Sequence, residues 1–283
     1  MRRSRRTFLI AAVSVLLFLP LAGTSAASQE SLSWREVCRF SDPRLAEISG
    51  MAHSLRHRNL IWLHNDSGDQ AVVYGVDTRT CRTVSEVRLR GVKARDFEGM
   101  AIAKDARGRS FLWIGDIGDN RESWSSVAIH RVREPARVGI TRSTPRTWRF
   151  TYPDRPRNAE TLMVDGTRVW VATWALPSGG LYRVPLDSTV STARRVGTVG
   201  PLITDGAIHP SGKGYALRDY IALHVFIGSP PGKLLVSLAL PAQVQGEALA
   251  WTPDGRGLYL ASERDDRLLS VELPARIAAM LDS

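Results

Sequence analysis

Two short acidic motifs lie close together in this chain: Asp96-Phe97-Glu98-Gly99, and Gly115-Asp116-Ile117-Gly118-Asp119-Asn120. One apolar pass, Phe111-Leu112-Trp113-Ile114, separates them. Carboxylates spaced by glycine in short loops suit three kinds of chemistry. They can grip a hard cation such as Ca²⁺ through oxygen, move protons when burial raises their pKa, or cap the amides of tight turns. Related acids recur at Asp66 and Asp69 in His64-Asn65-Asp66-Ser67-Gly68-Asp69, and at Glu160, Asp205 and Glu247. If these meet, two unit charges about 6 Å apart at an effective dielectric near 20 repel by roughly 3 kcal/mol. The repulsion is relieved by protons held at raised pKa, by arginines such as Arg95, Arg218 and Arg264, or by a cation. The candidate metal ligands are Glu98, Asp116, Asp119, Glu160, Asp205 and Glu247, with Glu98 or Asp119 as general base. Asp66, Asp69, Asp96 and Arg218, with the loop aromatics Trp124 and Trp174, are the candidate ligand contacts. The alternative use of the acids is structural, as turn caps and partners of Arg.

Other chemistries are excluded or weak. The chain has no Gly-x-Ser-x-Gly elbow, no Cys-x-x-Cys and no zinc-type Cys/His spacing. Ser67 near His64 reads as turn chemistry. Gly228-Ser229-Pro230-Pro231-Gly232-Lys233 is no phosphate loop, because its two prolines cannot donate N–H groups. The stretch from Arg131 to Arg149 carries six Arg against one Glu and reads as a charged blade edge. Attraction of an anionic envelope polymer is the alternative. Its arginines are not interleaved with base-stacking aromatics, so nucleic acid is not expected as a partner. His53 and His57 flank a turn on the face away from the acids and read as surface residues.

The elements that would position the acids come from a repeat. Short runs rich in Val, Leu, Trp and Tyr alternate with Gly, Pro, Asp and Ser clusters, and helical periodicity is almost absent, which marks an all-β chain. Five segments align: Ser49-Gly50-Met51-Ala52, Glu98-Gly99-Met100-Ala101, Glu160-Thr161-Leu162-Met163, Asp205-Gly206-Ala207-Ile208 and Glu247-Ala248-Leu249-Ala250. Each is followed by an aromatic in a second strand, Trp62, Trp113, Trp170, Tyr215 and Tyr259, and most by a third strand. His209-Pro210-Ser211-Gly212 and Thr252-Pro253-Asp254-Gly255 predict matching tight turns. A repeat of roughly 50 residues with four strands predicts a β-propeller. The last unit runs out of chain after its third strand, and Trp34 to Phe40 can supply the missing outer strand. The expectation is five four-stranded blades with the ring closed by the N-terminal strand, a short helix after Pro274, and a monomer without open edges. The long second repeat leaves a sixth blade as the alternative. In such a ring the starts of first strands and the loops after second strands meet at one mouth of the central channel, which collects the acids.

Residues 1–27 read as a leader: a basic start, Met1 to Thr7, an apolar run from Phe8 to about Leu21, and small residues up to Ala27. Ser4-Arg5-Arg6-Thr7-Phe8-Leu9 fits the twin-arginine export signal. The propeller domain then spans 28–283 and is expected in the cell envelope or secreted, with no membrane span after cleavage. The formal charge of +10 includes four leader arginines, so the remaining chain is less basic. Cys38 and Cys81 are the two cysteines, and in an oxidising compartment they read as one disulfide, with two buried thiols as the alternative.

Through Ala46-Glu47-Ile48-Ser49-Gly50, the His64 to Asp69 loop, Asp96 to Gly99 and Gly115 to Asn120, the chain resembles exported bacterial β-propellers. The Asp-x-Glu-Gly element is similar to one in phytase-like and esterase-like propellers. That resemblance implies calcium in an acidic channel and hydrolysis of phosphate or carboxylate esters, with basic residues holding phosphates. Glu98, Glu160, Asp205 and Glu247 lie where such ligands would be. The short length and the five-blade count depart from that pattern, so a non-enzymatic binding propeller stays open beside the hydrolase.

Overall fold

The structure, a computed structural model, describes residues 32–66 and 68–283, so the leader expected at 1–27 and Ser67 lie outside the described residues. The strand β1 (Ser33–Arg39) opens the described chain. Blade 1 follows as β2 (Ile48–His53), β3 (Leu60–Asn65), β4 (Val72–Asp77) and β5 (Arg82–Leu89). Blade 2 holds β6 (Phe97–Lys104), β7 (Ser110–Asp116) and β8 (Val127–Arg133). Next come β9 (Ile140–Ser143) and then β10 (Arg146–Thr151), which is the outer strand of blade 2. Blade 3 is β11 (Ala159–Asp165), β12 (Arg168–Thr173), β13 (Gly179–Val184) and the outer strand β15 (Arg194–Val199), with β14 (Val190–Thr192) leaving it between the last two. Blade 4 is β16 (Asp205–Ile208), β17 (Gly214–Arg218), β18 (Ala222–Ile227) and β19 (Lys233–Ala239). Blade 5 is β20 (Gln245–Trp251), β21 (Gly257–Glu263) and β22 (Asp265–Glu272), before the helix α1 (Ala275–Asp282).

The strand β1 pairs antiparallel with β22 and completes blade 5, closing the ring as the sequence predicts. A Cys38–Cys81 disulfide ties that closing strand to blade 1, with Cα atoms 5.7 Å apart. The described residues form five blades and no sixth. The extra length of the second repeat has another use. It forms β9, which turns back to lie parallel to β5 at the edge of blade 1, while β14 lies parallel to β10 at the edge of blade 2. Blades 2 and 3 thereby each lend a strand that covers the preceding blade's open edge.

Core side chains sit between blades. Trp62, Trp113 and Trp148 are at most 2% exposed, and Trp113 stacks on Trp148 at 5.5 Å. The matched turns form as expected, with the Gly212 amide on His209 O at 2.8 Å and the Gly255 amide on Thr252 O at 3.0 Å. Both glycines take positive φ, +74° and +69°, where a side chain would strain the backbone.

One irregularity recurs and decides what the channel holds. In four blades the first strand carries a β-bulge at the aligned polar position. The ladder slips between Ile48 and Gly50 around Ser49, between Phe97 and Met100 around Glu98, between Ala159 and Thr161 around Glu160, and between Gly246 and Ala248 around Glu247. A bulge places two residues opposite one and re-aims the extra side chain. In blade 4 the ladder is regular, and Asp205 pairs directly with Arg218.

Candidate functional site

The first strands pack side by side around the axis, so the bulged residues of neighbouring blades meet. The Ser49 hydroxyl of blade 1 donates to Glu98 Oε2 of blade 2 at 2.6 Å. Glu98 in turn shares a side-chain hydrogen bond with Glu160 of blade 3. Asp66, from the loop after β3, and Asp96, just before β6, join them. One carboxylate oxygen each from Asp66, Asp96 and Glu98 lies within 4.8 Å of the others. Ligands on opposite sides of a cation bound at 2.3–2.6 Å lie about 5 Å apart, so these oxygens are spaced to share one ion. Gly118, in the loop after β7, backs the cluster so closely that a Cβ there would stand 2.6 Å from both Asp96 Oδ2 and Glu98 Oε1. That close approach explains a glycine between Asp116 and Asp119.

The environment holds these acids up. Burial first, then repulsion from Asp66, pushes Asp96 to about 8. Burial, then Glu160 and Asp66, pushes Glu98 well above the usual carboxylate range, and burial raises Glu160. Across the mouth, Glu247 of blade 5 shares a side-chain hydrogen bond with Glu263. Burial and the neighbouring carboxylate hold Glu247 at about 9, and burial with Asp66 holds Glu263 at about 7. Two amides sit two residues upstream of the ring acids and steady them. Asn158 Nδ2 donates to Glu160 Oε1 at 2.8 Å, and Gln245 Nε2 to Glu247 Oε1 at 2.8 Å.

Other candidates are placed differently. Asp116 accepts the amides of Arg95 and Asp96 at 3.2 and 3.0 Å and lies beside the Arg95 guanidinium. Burial works to raise it, but His130, the Asp96 amide and Arg95 outweigh burial and hold it below the usual range. Asp119 accepts the Trp124 amide at 2.7 Å, while its own amide donates to Asn158 Oδ1 at 2.7 Å. Asp69 closes its own loop, accepting from Gln70 N, Asn65 Nδ2 and Tyr74 OH. Asp205, without a bulge to turn it, accepts the Leu249 amide of blade 5 at 2.8 Å and sits well above the usual range through burial. Arg218 is fully buried behind it and donates to Ala248 O at 3.3 Å and Asp219 O at 3.2 Å. These acids and Arg218 join loops and blades rather than the ring. Trp124 is half-buried under Arg95, 4.1 Å from guanidinium to ring. Trp174 shares a side-chain hydrogen bond with Tyr220, whose phenol neighbours Glu247, Glu160 and Glu263. His64 is fully buried, its Nδ1 3.1 Å from Asn65 O, and burial drops its pKa to about 4, so it is a neutral core group.

Sequence reasoning aligned Ser49 without assigning it to the site, and it missed Asn158, Gln245 and Tyr220. A signal existed for the amides. A polar residue stands two positions before the bulge in four repeats, Glu47, Asp96, Asn158 and Gln245, and Ile203 replaces it where the bulge is missing.

Fold and site define a five-bladed β-propeller with carboxylates gathered at one mouth of its channel. Similar solved structures include the PQQ-bound aldose sugar dehydrogenase of Streptomyces coelicolor, at 13% identity and TM-score 0.51, covering 86% of this chain and 99% of that one. The Myxococcus xanthus glutaminyl cyclase is similar at 13% identity and TM-score 0.52, covering 87% and 98%. Both neighbours are enzymes by name, and at this identity the likeness is one of fold. No protein-family model matches the chain, and no curated protein sequence matches it. No helix among the described residues is long and apolar enough to cross a membrane.

Proposed function

We propose that this protein is an exported propeller enzyme that holds Ca²⁺ at the acidic mouth and hydrolyses a phosphate or carboxylate ester there. The carrying observation is the convergence of Asp66, Asp96 and Glu98 within 4.8 Å, from two blades, with Glu160 of a third bonded to Glu98. Arg95 pairs with Asp116, Arg218 donates to backbone carbonyls beside Asp205 and Glu247, and Arg264 acts on Glu263. Hard oxygen donors in a set of carboxylates suit Ca²⁺ rather than a softer metal, and the Gly118 cradle keeps them close. Asp66, Asp96, Glu98 and Glu160 would hold the ion. When bound, it would polarise the ester oxygen and lower the pKa of a water. Asp119 is committed to the Trp124 amide. The groups left to handle a proton are therefore the Glu247–Glu263 pair, held without the ion at about 9 and about 7. Trp174 and Tyr220 flank the mouth and would contact the substrate. Export by the twin-arginine route is supported by the leader pattern, and the disulfide fits an oxidising compartment.

The test is hydrolysis of generic phosphomonoester and carboxylester substrates, with and without chelator, by the wild type and by Glu98→Gln. Turnover lost to chelator and in Glu98→Gln is expected. Turnover unchanged by both would overturn the metal mechanism. No turnover, with chelator lowering only the melting temperature, would make the propeller a binding module with a structural ion.

A further inference from the structure

A groove on the side of the propeller, outside the channel, carries charge that the acidic mouth does not use. It measures about 730 Å³, within the roughly 300–1,000 Å³ range of small-molecule sites. Lys93 and Arg95, on the link from β5 to β6, form one wall. The floor is the side of the outer strands of blade 2 that carries His130, Thr147 and Arg149. The ladders set Thr147 opposite His130 and Arg149 opposite Val190 of β14, which places these side chains on a shared face of the sheet. Of the six arginines from Arg131 to Arg149, only Arg149 lines the groove.

The groove is rich in donors and short of acceptors. Lys93 and Arg149 are exposed, and neither forms an ion pair among the described residues. Arg95 spends Nε on Asp116 Oδ2 at 3.4 Å and Nη2 on Ser126 O at 3.1 Å, with Nη1 left over. His53, expected on the surface, is instead 8% exposed with Nδ1 2.9 Å from Ser54 O, and His57 reaches Pro135 O at 3.0 Å. His130 differs. It is 4% exposed, and its Nδ1 lies 2.8 Å from Thr147 Oγ1. Its Nε2 stands 3.9 Å from Asp116 Oδ2, beyond hydrogen-bond reach, and has no other partner among the described residues. Asp116 is the one carboxylate of the lining. Its Oδ1 takes the Arg95 and Asp96 amides, while Oδ2 faces Arg95 and His130, so it stands between the groove and the ring acids. Two unspent cations beside a buried, unpartnered ring nitrogen select a ligand that only accepts and carries about two negative charges.

We propose that this groove binds a phosphate dianion, free or as the head of a small monoester, with its oxygens on Lys93, Arg149, Arg95 Nη1 and His130 Nε2. A phosphate group points several strong acceptor oxygens in different directions, which matches donors arriving from a wall and a floor. Thr147 donates to Nδ1 in this arrangement, which puts the ring proton on Nε2, toward the anion. The site lies outside the channel and needs neither an ion at the mouth nor turnover there.

Titration calorimetry of the purified protein in chelator at pH 8, in about 150 mM NaCl to screen loose charge effects, tests this with inorganic phosphate, glycerol 3-phosphate and acetate. One site is expected for phosphate, with acetate at least about tenfold weaker. Tighter binding of glycerol 3-phosphate would identify a monoester as the occupant, and tighter binding of inorganic phosphate the free anion. Lys93→Gln with Arg149→Gln should weaken phosphate at least about tenfold. Arg133→Gln with Arg137→Gln removes the same charge from exposed positions outside the groove and should leave binding unchanged, as should Glu98→Gln in the mouth. In ring ¹⁵N spectra the His130 Nε2 signal should shift as phosphate saturates. No saturable binding, acetate equal to phosphate, equal loss in the two double variants, or an unmoved His130 signal would overturn the proposal. Loss of phosphate binding in Glu98→Gln would put the anion at the mouth and overturn it too.

Discussion

Without a cation, the protein should lose stability as pH rises from 7 to 9. Asp96 and Glu247 hold protons to about 8 and 9, and Glu263 to about 7, whereas the unfolded chain has released them by pH 6. The folded state thus binds more protons, and stability falls with pH until the folded pKa is passed. Burial holds His53, His64 and His209 below their usual 6.5, so these three add little in this window. Integrating the linkage relation gives a loss of about 2 kcal/mol from Glu247 alone, and about 4 if all three groups titrated independently. Water at the mouth screens the charges and moves the expected loss toward about 2 kcal/mol. The assay is urea unfolding at pH 7, 8 and 9 in chelator, repeated with excess Ca²⁺. The ion should add about 2.7 kcal/mol at 100 times its Kd, with a larger increment at pH 9 than at pH 7 because it replaces protons. Stability that is flat or rising from pH 7 to 9 in chelator would refute the assignment of buried, crowded acids.

Three further outcomes follow from single contacts. Gly118→Ala puts a Cβ 2.6 Å from two carboxylate oxygens, and should cost about 1–3 kcal/mol and weaken Ca²⁺ in calorimetry. Asp205→Ala should cost about 1–3 kcal/mol in urea unfolding by orphaning the Leu249 amide, with Ca²⁺ affinity unchanged because Asp205 lies outside the ring. Cys38→Ser with Cys81→Ser opens a link across 43 residues and should lower stability by about 4 kcal/mol on the chain-entropy estimate. In that variant, faster hydrogen exchange confined to β1 and β22 would mark release of the closing strand.

The architecture was readable because propeller geometry repeats. Aligning Ser49, Glu98, Glu160, Asp205 and Glu247 placed all five at one level of the channel, and the unpaired third strand of the last repeat called for a partner at Trp34 to Phe40. The orientation of individual acids was not readable, because it depends on a bulge that moves a side chain through a single slipped pair. Asp205 looks like its counterparts in sequence, yet its ladder is regular and its carboxylate turns to a neighbouring blade's amide. Asp116 and Asp119 are drawn away by loop amides whose positions exist only once the loop has folded. Glu134, buried against Ser54 and Trp62 between blades 1 and 2, has no counterpart in the repeat and so gave no signal. The length of the second repeat was ambiguous for a similar reason, since β9 pairs with the preceding blade rather than its own.

The central claim is that the ring acids hold one Ca²⁺, and calcium content by elemental analysis, with calorimetric reloading after chelation, measures it most directly. The expected result is about one ion per wild-type chain, at least about tenfold weaker binding in Glu98→Gln and unchanged binding in Asp205→Ala. A metal-free protein that takes up no Ca²⁺ at pH 8, or a Glu98→Gln variant that binds it as the wild type does, would contradict the account.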